Sequence, residues 1–247
     1  MTLLQIIFAT LIGGVFSVLL AATVALTFLA KFANRMVAFA VGVLLGFAFT
    51  DLLPEAIHLG LDITTLGWVL VGGIMGFFLL EKLALWRHDH ETELGHTQEK
   101  PIVAMIVIGD GMHNFVDGIL LAAAFLTEWK LGWATAIAIT AHEIPQEISD
   151  FMVLLDAGVS KRKALLLNAL SGVAMTLGGV VGWISLSNAH AAIPYVLTIA
   201  AASFIYIATA DLVPELHQHR KPRDMFFQLS LMVLGLSVAG FAKLLEH

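Results

Sequence analysis

The chain has 247 residues, 59% of them hydrophobic and 13% charged, with a mean hydropathy of +0.89. Soluble domains average about 25% charged residues, so the composition excludes an ordinary soluble domain and points to a polytopic membrane protein. The absence of cysteine excludes disulfides, thiolate metal sites and thiol catalysis, while a net charge of -6 says little until the charges are placed.

In chain order, eight apolar segments reach the roughly 20 residues needed to cross a hydrocarbon core. They run over 3–29, 36–57, 65–86, 102–126, 131–155, 163–187, 193–216 and 225–245. The expected fold is an all-α membrane protein of eight transmembrane helices in a single domain over 1–247, with no room for a separate soluble domain. The first run lacks a basic leader and is too long for a signal-peptide core, so it reads as a span. Gly13-Gly14, Gly72-Gly73 and Gly178-Gly179 read as sites of close helix packing.

Basic residues orient the spans. Lys31 and Arg35; Lys82, Arg87 and Lys100; Lys161, Arg162 and Lys163; and Arg220, Lys221 and Arg223 follow the first, third, fifth and seventh segments. The other side keeps only Lys130 and Lys243. The positive-inside rule then puts both termini outside the cytoplasm, in a cell (inner) membrane. The long connection 87–100 falls on the cytoplasmic side and holds His88, His90 and His96 among carboxylates. Such a loop can bind zinc-like ions loosely or simply be solvated.

A short echo suggests an inverted repeat. Thr50-Asp51-Leu52-Leu53-Pro54-Glu55-Ala56 closes the second segment and Ala210-Asp211-Leu212-Val213-Pro214-Glu215-Leu216 closes the seventh. Those segments cross in opposite directions, so the pattern lies at opposite faces. Helices 1–3 would repeat as 6–8, flanking 4–5, an arrangement common in secondary transporters.

The fourth and fifth segments carry the chemistry. Asp110, Asp117, Glu143 and Glu147 would together cost roughly 10 kcal/mol or more if left unpaired at bilayer depth. At helical spacing, Asp110, His113, Asn114 and Asp117 form one polar stripe. His142 pairs with Gln146 and Glu143 with Glu147, and Asp150 stands one turn beyond. A short connection makes the two helices antiparallel neighbours whose stripes can face each other. Pro145 frees the Ala141 carbonyl, which suits a helix lining a cavity. Imidazoles with carboxylates and no thiolate suit zinc, iron, manganese or cadmium rather than copper(I). A metal or proton pathway and a metal-free hydrogen-bond network both remain open on these residues alone.

His113-Asn114-Phe115-Val116-Asp117-Gly118 and His142-Glu143-Ile144-Pro145-Gln146-Glu147 resemble the signatures of the ZIP (zinc/iron-regulated transporter-like) family of metal-ion transporters. The resemblance extends to eight helices, a histidine-bearing cytoplasmic loop and Leu53-Pro54-Glu55-Ala56 closing helix two. It implies uptake of a divalent metal ion, zinc foremost, toward the cytoplasm by alternating access. His113, Asp117, His142 and Gln146 would form a primary metal site; Asn114, Glu143 and Gln146 would contribute to a second. Asp110, Glu147 and Asp150 would serve as a secondary pathway. The resemblance also implies a homodimer in the lipid bilayer, with a transport unit moving against a scaffold. No nucleic-acid partner, catalytic cofactor or enzymatic role is expected.

Two departures stand out. Gln146 occupies the position of the usual second histidine, and Ser171-Gly172-Val173-Ala174-Met175 lacks the glutamate some branches carry. One dominant transport metal is therefore expected. The competing reading is an intramembrane zinc metalloenzyme, but Gln146 and Pro145 both break the His-Glu-x-x-His pattern that chemistry requires.

Overall fold

The computed structural model describes residues 1–25, 30–93, 99–217 and 222–244, and all secondary structure among them is helical. His96, Arg220 and Lys221 lie outside the described residues. Eight helical rods follow in order. α1 covers 2–25, as Thr2–Thr10, a π turn Leu11–Phe16 and Ser17–Ala25. α2 covers 30–58, as Ala30–Phe47, a π turn Ala48–Leu52 and Leu53–His58. α3 is Ile63–Glu93, α4 Glu99–Thr127, α5 Trp129–Asp156 and α6 Lys161–Leu186. α7 covers 190–216, as His190–Ala192, Ile193–Tyr206, a π turn Ile207–Leu212 and Val213–Leu216. α8 is Pro222–Leu244.

Five stretches are long and apolar enough to cross a membrane by length and composition: Thr2–Thr23, Met36–His58, Ile63–Leu83, Lys161–Leu186 and His190–Leu216. α4 and α5 are long enough, but the polar residues of their stripes dilute their apolar character. The apolar part of α8, Asp224–Gly240, is short. α3 also outruns its expected end at 86. Its polar, helix-favouring tail meets no Gly or Pro before Gly95, so His88 and His90 belong to the helix rather than to a loop.

Turn chemistry sets the hairpins. Gly60 (φ 96) and Gly158 (φ 83) take the left-handed backbone that ends α2 and α5. Asp62 accepts the N–H groups of Thr64 and Thr65, both at 3.0 Å, to start α3. Between α4 and α5 only Glu128 leaves the helical conformation. Gly132 leaves room there for the Phe125 ring, whose centroid stands 5.5 Å from that of Trp133 in an edge contact. This tight hairpin aligns the two polar stripes.

Two glycine-mediated pairs organise the bundle. A Cβ at Gly118 would come within 2.0 Å of the Met175 carbonyl oxygen, and one at Gly178 within 1.9 Å of Phe115's. α4 and α6 therefore touch backbone to backbone. Gly42 and Gly235 do the same for α2 and α8, where added Cβ atoms would meet Met232 and Phe39 carbonyls at 2.0 and 2.3 Å. α1 packs on α5 and α6, α3 on α7, and α2 also on α5. Lipid hydrocarbon is as apolar as a leucine surface, so such close van der Waals approach is a main source of helix association.

The two Asp-x-x-Pro-Glu stretches share a local structure. In each, a π turn ends just before the proline-bearing segment, at Ala48–Leu52 and Ile207–Leu212. Pro54 and Pro214 have no N–H for the carbonyls four residues earlier, so the hydrogen-bond register slips there.

Replacing Gly178 with valine should force α4 and α6 apart at a cost on the order of 1–3 kcal/mol. Gly76→Ala meets nothing within 4 Å and should be neutral or slightly stabilising. Thermal melts in detergent should show a lower midpoint for G178V and no loss for G76A; equal midpoints would contradict this packing.

Candidate metal centre

Four side chains converge where the α4 and α5 stripes meet. His113 Nε2 lies 3.3 Å from His142 Nε2. His142 Nε2 lies 3.1 Å from Asp117 Oδ2, and His113 Nε2 lies 3.8 Å from the same oxygen. Glu143 Oε1 stands 3.7 Å from His113 Nε2 and 3.6 Å from His142 Nε2. Asp117, His142 and Glu143 are fully buried, whereas the His113 side chain keeps 19% of its surface exposed.

The backbone orients the imidazole of His142. Its Nδ1 is 3.2 Å from the Ala138 carbonyl oxygen. A carbonyl can only accept, so Nδ1 is the donor in that contact and Nε2 faces the cluster, 3.1 Å from Asp117 Oδ2. Histidines that ligate metals are commonly oriented this way. The Phe204 ring of α7 covers the His142 ring edge-on, with centroids 6.0 Å apart.

Four donors about 2.0–2.1 Å from one ion sit about 3.3 Å apart along the edges of a tetrahedron. The His113–His142 separation equals that edge and His142–Asp117 is close to it. Three more, at 3.6–3.8 Å, exceed it by about half an ångström or less, and the sixth edge, between Asp117 and Glu143 oxygens, lies within 4.8 Å. The cluster His113, Asp117, His142 and Glu143 could therefore hold a metal ion.

Asn114 and Gln146, expected from sequence as ligands, each direct an amide N–H toward Asp110. Asn114 Nδ2 donates to Asp110 Oδ1 at 3.0 Å and Gln146 Nε2 donates to the same oxygen at 3.1 Å. An amide needs partners for its N–H groups, and Asp110, one turn from Asn114 and facing Gln146, accepts both. Asp110 joins Glu143 and Glu147 in a second cluster, so Glu143 belongs to both.

A cavity of about 520 Å³ reaches this region. His113, Asp110, Gln146 and Asp150 line one side, and Glu81, Tyr206, Asp211 and Glu215 of α3 and α7 line the other. The Tyr206 hydroxyl donates to Glu81. Glu81 and Tyr206 were not singled out in the sequence. The only signal was a carboxylate inside an apolar run, and nothing local showed that α3 and α7 face the α4–α5 stripe. His88, His90 and His96 are not placed relative to this cavity, because their side chains fall outside what is described.

Comparison with known proteins gives the family. A family model described as "ZIP Zinc transporter" matches residues 86–243. Human "Zinc transporter ZIP4" is 40% identical over 133 residues, 53% of this chain and 20% of its own length. Drosophila melanogaster "Zinc transporter foi" is 37% identical over 132 residues, 53% of this chain and 18% of its own. Human "Zinc transporter ZIP10" is 34% identical over 175 residues, 65% of this chain and 21% of its own. The matched region spans about a fifth of those relatives' length. That family is one of transporters, not enzymes, and the candidate spans mark this chain as an integral membrane protein. With the matched region covering well over half the chain, the protein belongs to the ZIP zinc transporter family.

Proposed function

We propose that the chain carries a divalent transition-metal ion, zinc ahead of iron, manganese or cadmium, across the membrane into the cytoplasm. The observation that carries this reading is the spacing of the donors of His113, Asp117, His142 and Glu143, two imidazoles and two carboxylates at nearly tetrahedral separations. The donor types fit zinc and its neighbours better than calcium or magnesium. Burial replaces the ion's water with fixed ligands, and His113, the one partly exposed member, links the cluster to the cavity.

All eight rods cross the bilayer in this reading, with both termini outside and helices 1–3 repeated inverted as 6–8. The matching π turns before Pro54 and Pro214 support that repeat. The cavity then opens to the cytoplasmic side, because Asp150 and Glu215 lie near the inward ends of α5 and α7. An ion bound at the cluster leaves past Asp110 and Asp150 along an acidic wall. α1, α4, α5 and α6, tied by Gly118 and Gly178, act as the transport unit against α2, α3, α7 and α8. The functional form is a homodimer; the largely exposed α3 leaves a face for a second copy.

A metalloenzyme is disfavoured because Gln146 stands where His-Glu-x-x-His needs its second histidine and gives its amide N–H to Asp110. In proteoliposomes loaded with a zinc-sensitive dye, the full chain should fill the vesicles, and His142→Ala or Asp117→Ala should reduce uptake to that of empty vesicles while remaining folded. Wild-type uptake by H142A would contradict the site. Asp150→Ala, on the cavity wall but outside both clusters, should slow zinc release into the vesicle while leaving zinc affinity within about twofold. A large loss of affinity in D150A would show that Asp150 is itself a ligand.

A further inference from the structure

We propose that Tyr206 is a positioning residue for metal release: its hydroxyl holds the Glu81 carboxylate on the cavity wall and keeps that carboxylate from retaining the departing ion. The proposal rests on the reading of the cavity as the ion's way to the cytoplasm.

α3 and α7 meet along one seam with a four-residue repeat. A Cβ added at Gly73 would come within 2.6 Å of the Ala202 Cβ, so the helices run close together there. One turn further along each helix, the Phe77 and Tyr206 rings stack with centroids 6.5 Å apart and planes 27° from parallel. One turn beyond Phe77, Glu81 accepts the Tyr206 hydroxyl. Phe77 and Glu81 share a face of α3 and grip Tyr206 together. The α-helical part of α7 ends at Tyr206, and its π turn begins at the next residue, Ile207. The clamp therefore fixes the last regular turn of α7 before Asp211 and Glu215.

Five carboxylates line the cavity, those of Glu81, Asp110, Asp150, Asp211 and Glu215, and among the described residues no Lys or Arg does. Such a wall attracts a dication, and away from bulk water the same attraction opposes its departure. A phenol hydroxyl is a neutral donor. It occupies a lone pair of Glu81 without adding charge, so the wall keeps its sign while one carboxylate becomes a weaker ligand. The amides of Asn114 and Gln146 do the same to Asp110 across the cavity. Two free carboxylates on neighbouring helices can close round one ion. A tethered Glu81 does so only by giving up the Tyr206 bond.

The test measures initial rates of zinc uptake by the full chain in proteoliposomes over a range of zinc concentrations. Tyr206→Phe keeps the ring and its stack on Phe77 and loses only the hydroxyl. Slower release after unchanged binding lowers kcat and KM by the same factor and leaves kcat/KM alone. Both should fall about threefold or more in Y206F, with kcat/KM within about twofold of wild type. In a Glu81→Gln background, Y206F should change neither constant by more than about twofold. If E81Q fails to fold, Glu81→Ala supplies the background. A merely structural role would lower the maximal rate at constant KM and would persist without the Glu81 carboxylate. Unchanged kinetics in Y206F, a fall in kcat at constant KM, or an equal effect with and without that carboxylate would each overturn the proposal. A wild-type chain that fills no vesicles would sink the transport reading itself, whereas wild-type uptake with an indifferent Y206F sinks only the role of Tyr206.

Discussion

Burial of charge without a basic partner is the constraint on which the rest of this protein depends. Asp117, Glu143 and Glu147 are fully buried and Asp110 nearly so, in a stretch with no Lys or Arg between Pro101 and the hairpin. Two imidazoles are the nearest potential counter-groups, and the tie from His142 Nδ1 to the Ala138 carbonyl aims Nε2 into the cluster. Such an arrangement is costly as a static core and sensible as a cation-binding one.

The fold is arranged to hold that cluster in place. A one-residue break at Glu128 and the Phe125–Gly132 contact keep α4 and α5 in register. Backbone contact at Gly118 and Gly178 locks α4 to α6, while Gly42 and Gly235 lock α2 to α8. The cavity is walled by α4 and α5 on one side and α3 and α7 on the other.

Much of this was legible in the sequence because helical periodicity is local. The stripe Asp110, His113, Asn114 and Asp117 follows from spacing, and so does the pairing of His142 with its neighbours on α5. The direction in which Asn114 and Gln146 turn was not legible. Each amide chooses between the histidine pair and Asp110 according to the rotation of both helices. Glu81 and Tyr206 were hidden for a similar reason, since their part in the cavity depends on where α3 and α7 pack. The π turns at Ala48–Leu52 and Ile207–Leu212 had a visible cause in Pro54 and Pro214, but proline alone does not distinguish a kink from a register slip. The end of α3 was placed too early because hydropathy marks where apolar residues stop, and helical hydrogen bonds continue past that point.

The central claim is that two imidazoles and two carboxylates share one zinc ion. X-ray absorption at the zinc edge, on the full chain carrying one equivalent of zinc, tests it most directly. The spectrum should show four-coordinate zinc with two imidazole ligands and donors at about 2.0–2.1 Å, falling to one imidazole in His113→Ala. Six-coordinate zinc bound by oxygen alone would contradict it.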